Sequence, residues 1–340
     1  MIDPALTGET RTADPAALEL RGLRVRFGPT DDTQQGVLAV DDVDLGVRRG
    51  EVLAIVGESG SGKSTLLLAI AGLLPRSAAV EGEVWLHERE IMGLPEKERA
   101  RIRGRRVGMV FQDPGGSLNP VLTVGTQIDE VLGVHRGLRG RAARSVTESL
   151  LARVGVGDPA RRADAYPHQL SGGLRQRVAI AAALAAGPEV ILADEATTAL
   201  DATVQAQVLD LLVELVANEG VALVLVTHDL AVAAAVADRI AVMYAGRIVE
   251  ERPAGELMAR PAHPYSVALR AAALPFRPRA DGVDERLPEL PGRMPHAGGV
   301  GCPFAPRCPL AVDHCRAVIP ELAPYEMGVV ACWRAGEAQG

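Results

Sequence analysis

Three features of the sequence predict an α/β fold built on a mainly parallel sheet with helices on both faces. Val-rich strands alternate with helical segments from residue 19 to residue 237, the pattern of parallel-sheet proteins. A glycine-rich loop at 57–65 lies between an apolar strand and a helix. A second apolar strand, 190–193, runs directly into two acids, Asp194 and Glu195. The chain has 340 residues, 48% apolar and only 3% aromatic. That excludes a disordered chain and predicts a core of Ala, Val and Leu rather than of rings.

Each element follows from local pattern. Residues 1–18 carry Asp3, Glu9 and Asp14, and no basic stretch leads into an apolar one. They read as a flexible segment and not as a secretory signal. Apolar alternation at 23–27, 37–40 and 43–45 predicts short strands, and 52–56 a further one. Residues 64–74 predict a helix stopped at Pro75, followed by strands at 84–86 and 107–111. From about 113 to 177 the chain changes character. Pro114, Gly115, Gly116 and Pro120 precede helical patterns near 125–134 and 141–154, so a helical insertion is expected. A helix at 174–186, a strand at 190–193, a helix at 204–218, a strand at 222–226 and a helix at 230–237 complete the alternation. After residue 250, Pro253, Pro261, Pro264, Pro275, Pro278, Pro288, Pro291 and Pro295 break the pattern. Residues 251–340 are expected to form a separate, weakly apolar region, near the size at which extra staples help.

The loop reads Gly57-Glu58-Ser59-Gly60-Ser61-Gly62-Lys63-Ser64-Thr65, which satisfies G-x-x-x-x-G-K-[ST] in its required strand-to-helix setting. The glycines let backbone N–H groups turn inward around phosphate oxygens, and the helix N-terminus adds partial positive charge. Lys63 is expected on the β/γ-phosphates and the Ser64 hydroxyl on Mg²⁺. Lys63 and Lys97 are the only lysines in an otherwise arginine-based set of cations. A merely structural glycine turn would not need lysine, strand and helix in one register. Asp194 is expected to hold the Mg²⁺ and Glu195 to orient or deprotonate an attacking water. His228 follows the next buried strand, which places it near the γ-phosphate. Capping or packing is the ordinary role of a lone His at such a position.

Charge and hydropathy exclude other classes. The formal net charge is -7, so the basic footprint of a nucleic-acid binder is missing. The longest apolar runs, 178–186, 221–226 and 231–237, fall short of the roughly 18 residues that suggest a membrane span. A soluble, intracellular chain is expected.

Taken in order, these residues resemble the ATP-binding subunits of ABC transporters. The resemblance extends to Gln112 after the strand 107–111, to Leu170-Ser171-Gly172-Gly173 before a helix, and to Ala199-Leu200-Asp201 after the acidic pair. It implies a phosphate-loop (RecA-like) core over 19–250, an antiparallel β subdomain, and a helical subdomain at about 113–177. It also implies that Leu170, Ser171, Gly172 and Gly173 cap ATP held by a facing subunit, that Asp201 lies on a dimer loop, and that Gln112 senses the γ-phosphate and Mg²⁺. Phe27 takes the position of an adenine-stacking aromatic, with a plain core role as the alternative. Ala196 replaces the usual proline after the catalytic glutamate, and Leu174 the usual Gln or Met after the glycine pair.

A closer resemblance is to the ATPases of oligopeptide and dipeptide importers. It rests on Phe111-Gln112-Asp113-Pro114, Ser117-Leu118-Asn119-Pro120, Val204-Gln205-Ala206-Gln207 and Pro261-Ala262-His263-Pro264-Tyr265-Ser266. It implies two membrane permease subunits, a second ATPase subunit forming a heterodimer, an external peptide-binding protein, and a peripheral place on the cytoplasmic face of the plasma membrane. Import of nickel or glutathione is the alternative within transport. A soluble ABC ATPase acting on nucleic acid or ribosomes is the alternative outside it, and no nucleic-acid partner is expected.

All four cysteines lie in the tail, spaced Cys302-x5-Cys308-x6-Cys315-x16-Cys332. The spacing lacks C-x-x-C pairs, so it matches neither a zinc ribbon nor a bacterial ferredoxin run. Four thiolates could still surround one metal. The peptide-importer resemblance implies a [4Fe–4S] cluster; Zn²⁺ and four unligated thiols are the other readings. His296 and His314 are expected at the surface.

Overall fold

The computed structural model describes residues 16–28, 36–196, 201–273, 292–295 and 297–339. Among these the strands are β1 (Leu18–Phe27), β2 (Val37–Val47), β3 (Val52–Val56), β4 (Ala78–Leu86), β5 (Arg89–Glu90), β6 (Val107–Val110), β7 (Val190–Asp194), β8 (Ala222–Thr227), β9 (Arg239–Tyr244), β10 (Arg247–Pro253), β11 (Ala323–Tyr325) and β12 (Gly328–Val330).

Two sheets result. One is four-stranded and antiparallel, in the order β2-β1-β4-β5. The other has eight strands in the order β11-β12-β10-β9-β3-β8-β7-β6. Its inner strands β9, β3, β8, β7 and β6 are parallel. The antiparallel hairpin partners β10, β12 and β11 extend one side. The α/β class, the antiparallel part and the helical part all match the expectation.

The central strands are continuous apolar runs because both faces are covered. Alternate residues feed different cores. Val190 and Leu192 of β7, with Val224 and Val226 of β8, face the core shared with the antiparallel sheet and the helix Lys63–Ala71. Ile191 and Ala193, with Leu223 and Leu225, face the core built with the helical insertion. There Val124, Ile128 and Leu132 from the helix Val124–Arg136 pack with Leu150 and Leu151 from Gly140–Arg153. Among the described residues no helix is long and apolar enough to cross a membrane.

Several boundaries differ from expectation. The helix after the glycine loop ends at Ala71, not at Pro75. Gly72 takes a left-handed φ of 64°, and its N–H caps the Ala69 carbonyl, the usual C-terminal device. Residues 1–15 lie outside the described part. Ala17 and Leu18 are fully buried, and the Ala17 N–H donates to the Val47 carbonyl at 2.8 Å, so the fold is under way by residue 17.

The tail packs directly on the edge of the main sheet. β12 pairs with β10 through Glu250–Val330 and Glu251–Val329. Tyr265 and Phe304 share a core with Val56, Leu230 and Tyr244. A segment too poor in apolar side chains to bury itself has been packed against the edge of the main sheet. Pro275, Pro278, Pro288 and Pro291 lie outside the described residues.

Candidate active site

The chain turns sharply between β3 and the helix Lys63–Ala71. At Gly62 the φ is +105°, and a Cβ there would stand 2.3 Å from the Ala39 carbonyl oxygen. A Cβ at Gly57 would stand 2.2 Å from the Met243 carbonyl oxygen. The loop is thus pressed against β2 and the end of β9 at these two glycines, with no room for a side chain at either. Lys63 is 4% exposed, and its Nζ donates to the carbonyls of Gly57 (2.7 Å) and Glu58 (2.9 Å). Burial pulls its pKa down, while the charges of Glu195, Asp194 and Glu58 pull it back up.

The acids stand opposite. The Ser64 hydroxyl donates to Asp194 Oδ1 at 2.9 Å, which brings two of the expected Mg²⁺ ligands together. These two hard oxygen donors fit a divalent cation of that kind. Burial raises the Asp194 pKa, and the Ser64 hydrogen bond opposes the rise. Glu195, the first residue past the strand, has φ +43°, a conformation that costs a non-glycine residue about 1–3 kcal/mol. Its N–H stays tied to the Val226 carbonyl at 3.0 Å. Its carboxylate accepts from Gln112 Nε2 at 3.0 Å and lies 3.5 Å from His228 Nδ1. Ala196, next in the chain, is buried. Asp229 accepts from the N–H groups of Ala231 and Val232, fixing the turn that carries His228.

These groups line one cleft of about 530 Å³, walled by Ala39, Ser59, Gly60, Gly62, Lys63, Ser64, Thr65, Gln112, Glu195 and His228. That size suits a small-molecule ligand. Gly57, Glu58 and Ser61 shape the loop from behind. Glu58 turns its N–H to Tyr265 Oη (2.9 Å) and its carboxylate to Arg307 (2.9 Å). Phe27 does not line the cleft; it packs partly buried against the core.

The Leu-Ser-Gly-Gly residues lie outside this cleft. Leu170 is buried, while Ser171 is exposed and caps the helix Gly172–Leu184 by accepting from the Leu174 N–H. Gly172 and Gly173 open that helix. Asp201 is exposed and caps the helix Ala202–Glu219 by accepting from the Val204 N–H at 3.0 Å. Ala199 and Leu200 lie outside the described residues.

Cys302, Cys308, Cys315 and Cys332 line a single cavity with His263, Phe304 and Trp333, and none is disulfide-bonded. Burial raises the thiols of Cys302 and Cys308, and raises Cys332 to about 11. Four thiols are the donor set of a thiophilic metal. The spacing does not fit one as it stands: the cavity holds about 20 Å³, room for a single water. Among the described residues no three His, Cys, Asp or Glu are grouped so as to hold a metal ion. His314 is exposed and packs edge-on against Trp333, as a surface residue would. His296 lies outside the described residues.

No sequence motif singles out Ala39, Asp229, Tyr265 as a loop contact, or Arg307. Asp229 carried a local signal, an acid directly before a helix. Arg307 and Tyr265 reach Glu58 across 249 and 207 residues, a separation that leaves no local pattern.

Comparison with known proteins agrees with this geometry. The ABC transporter family matches residues 40–198, and the oligopeptide/dipeptide transporter C-terminal region matches residues 249–315. The chain is 45% identical over 325 residues to the probable peptide ABC transporter ATP-binding protein y4tR of Sinorhizobium fredii, covering 94% of this chain and 95% of that one. It is 45% identical over 328 residues to the dipeptide transport ATP-binding protein DppD of Haemophilus influenzae, covering 96% and 97%. Among solved structures it resembles the ATP-binding cassette MJ0796 in a dimeric post-hydrolysis state with ADP and Pi. That match has a TM-score of 0.62 and 34% identity, and covers 70% of this chain and 98% of that one. The glycine loop, the acid-ended strand, the glutamine and the histidine thus meet in one cleft on a cassette fold, and the chain belongs to the ATP-binding proteins of the ABC transporter family.

Proposed function

We propose that this chain is the ATP-hydrolysing subunit of an importer for di- and oligopeptides. The observation that carries the reading is the cleft joining Lys63, Ser64, Gln112, Glu195 and His228, with Asp194 bonded to Ser64 behind it, in a chain whose residues 249–315 match the peptide-transporter C-terminal region.

The residues divide the work. Backbone N–H groups of Ser59, Gly60, Gly62, Lys63, Ser64 and Thr65 cradle the phosphates, and Lys63 supplies the positive charge. Ser64, Asp194 and Gln112 would hold Mg²⁺, which neutralises phosphate charge when bound. Glu195 takes the proton of the attacking water, held in place by Gln112. His228 hydrogen-bonds the γ-phosphate from the opposite side. Leu170, Ser171, Gly172 and Gly173, outside this chain's own cleft, cap the ATP of a facing subunit, and Asp201 lies at that contact. The facing subunit is a second ATPase of the same kind. The pair works on the cytoplasmic face of the membrane, against two permease subunits fed by an external peptide-binding protein.

Purification from native membranes in mild detergent tests this. Two permease chains are expected to accompany the protein, and peptide uptake is expected to fail when Lys63 is replaced by Ala. Recovery without permeases, or loss of nickel or glutathione uptake in place of peptide uptake, would overturn the reading.

The four tail thiols are proposed to take a [4Fe–4S] cluster, supported by their lining one disulfide-free cavity. The cavity has to widen on loading. Anaerobically purified protein is then brown and carries iron and sulfide; stoichiometric zinc, or no metal, refutes it.

A further inference from the structure

Glu58 is gripped from outside the ATPase core by two separate pieces of the tail. Its N–H donates to Tyr265 Oη at 2.9 Å, on the helix Pro264–Ala273. Its carboxylate accepts from Arg307 Nη1 at 2.9 Å, on the short 3-10 turn Ala305–Arg307. The third polar group of Glu58, its carbonyl, accepts from Lys63 Nζ at 2.9 Å. One loop residue thus connects the tail to the lysine of the phosphate site.

The grip is built for precision. Tyr265 is fully buried and Arg307 is 8% exposed. Arg307 also donates to Tyr244 Oη at 3.2 Å, and its guanidinium lies 5.8 Å from the Tyr244 ring centroid. The rings of Tyr244 and Tyr265 stand 4.7 Å apart, with Phe304 edge-on to Tyr244 at 5.2 Å. Tyr265 is itself set by His263, whose Nδ1 accepts the Tyr265 N–H at 3.0 Å. Charge-assisted bonds at low exposure are the strong kind, and planar rings leave little freedom to drift.

We propose that Tyr265 and Arg307 are positioning residues of the nucleotide site: by holding the Glu58 peptide and carboxylate, the tail fixes the loop from which Lys63 meets ATP. This rests on the assignment of residues 57–65 as the phosphate loop. Freed from either contact, the Glu58 peptide can rotate, and its carbonyl no longer holds Lys63 in place. The loss falls on ATP binding, since neither residue lines the cleft.

The test measures the dissociation constant of a fluorescent ATP analogue, KM and kcat for MgATP, and the thermal midpoint, all on the full chain. Tyr265→Phe removes one oxygen and Arg307→Met keeps the apolar stem. Each is expected to raise Kd and KM about tenfold, the size of one lost bond to a charged or buried partner. At saturating MgATP, kcat should stay close to wild type. Arg307→Lys should recover part of the affinity. Glu58→Gln should weaken binding alone yet add little on top of Arg307→Met, because the two share one contact. A lowered thermal midpoint with unchanged Kd and KM overturns the proposal, because the contact would then be structural only. Full additivity of Glu58→Gln and Arg307→Met also overturns it. Lys63→Ala is the reference: wild-type binding there defeats the loop assignment itself. Lost binding there, with Kd kept in Tyr265→Phe and Arg307→Met, defeats only the role of the tail.

Discussion

Glu195→Gln separates chemistry from binding. The substitution keeps the shape of the side chain, so the left-handed backbone and the 3.0 Å bond from its N–H to Val226 are unaffected. The amide oxygen can still accept from Gln112 Nε2, now 3.0 Å from the carboxylate. What disappears is a base. General-base help is worth about 10²- to 10⁴-fold, or about 2.7–5.5 kcal/mol of barrier. The electrostatic change favours binding. Glu195 adds negative charge beside Asp194, whose pKa it helps to raise, and the polyphosphate brings more. Removing one carboxylate relieves that repulsion, so MgATP should bind as tightly as before or more tightly. Phosphate release and equilibrium nucleotide binding are measured on the same preparation. Hydrolysis within tenfold of wild type would refute the assignment of Glu195 as the base. Parallel loss of binding and hydrolysis would refute it too, by making Glu195 part of the binding site.

Three further outcomes follow from the same geometry. Gly62→Ala forces a Cβ to 2.3 Å from the Ala39 carbonyl at φ +105°; a cost of about 2–4 kcal/mol is expected, seen as a lower thermal midpoint and lost nucleotide binding, and wild-type values in both would contradict it. His263 is buried and its pKa is pushed down to about 3 by loss of water. The unfolded imidazole takes its proton below about pH 6.5 and the folded one does not until about 3, so stability falls as pH falls through that window, by up to about 1.4 kcal/mol per pH unit. His263→Asn keeps an acceptor for the Tyr265 N–H and should flatten the acid limb of a urea-midpoint profile; superimposable profiles would count against this. Leu151→Ala empties a fully buried site in the helical insertion; a loss of about 2–5 kcal/mol should appear as faster amide exchange across Gly140–Arg153, with nucleotide affinity retained.

The phosphate loop was readable in sequence because its chemistry is contiguous: residues 57–65 carry the glycines, the lysine and the hydroxyls in one run. Asp194, Glu195 and His228 were readable because each follows an apolar strand, and parallel strands put their ends on one edge. β9 and β10 were harder. Arg239, Arg247, Glu250, Glu251 and Arg252 interrupt their apolar pattern. Burial there is reached by giving each charge a partner: Arg239 meets Glu51 at 2.6 Å, and Glu250 accepts from the N–H groups of Ala262 and His263. Such pairing shows only once the fold brings the partners together. In the sequence Pro75 is the louder stop signal after the loop, yet Gly72 ends the helix first by taking the left-handed turn. Phe27, on β1, is partly buried against the core.

The strand added by the tail has a consequence for how this protein can be divided. β12 occupies the outer hydrogen-bonding edge of β10, and the Ala331 N–H also closes on the Val249 carbonyl at 2.8 Å. A chain cut after Pro253 would leave that edge bare, which is an invitation to strand-to-strand aggregation. The same cut would leave Glu250, fully buried, without the two N–H donors at 262 and 263, and Arg252 without Glu326. A buried charge stripped of its partners is among the most damaging changes a fold can suffer. Residue 250 is therefore a costly place to cut the chain, because the tail supplies the nucleotide-binding core with both a neighbouring strand and the partners of its buried charges.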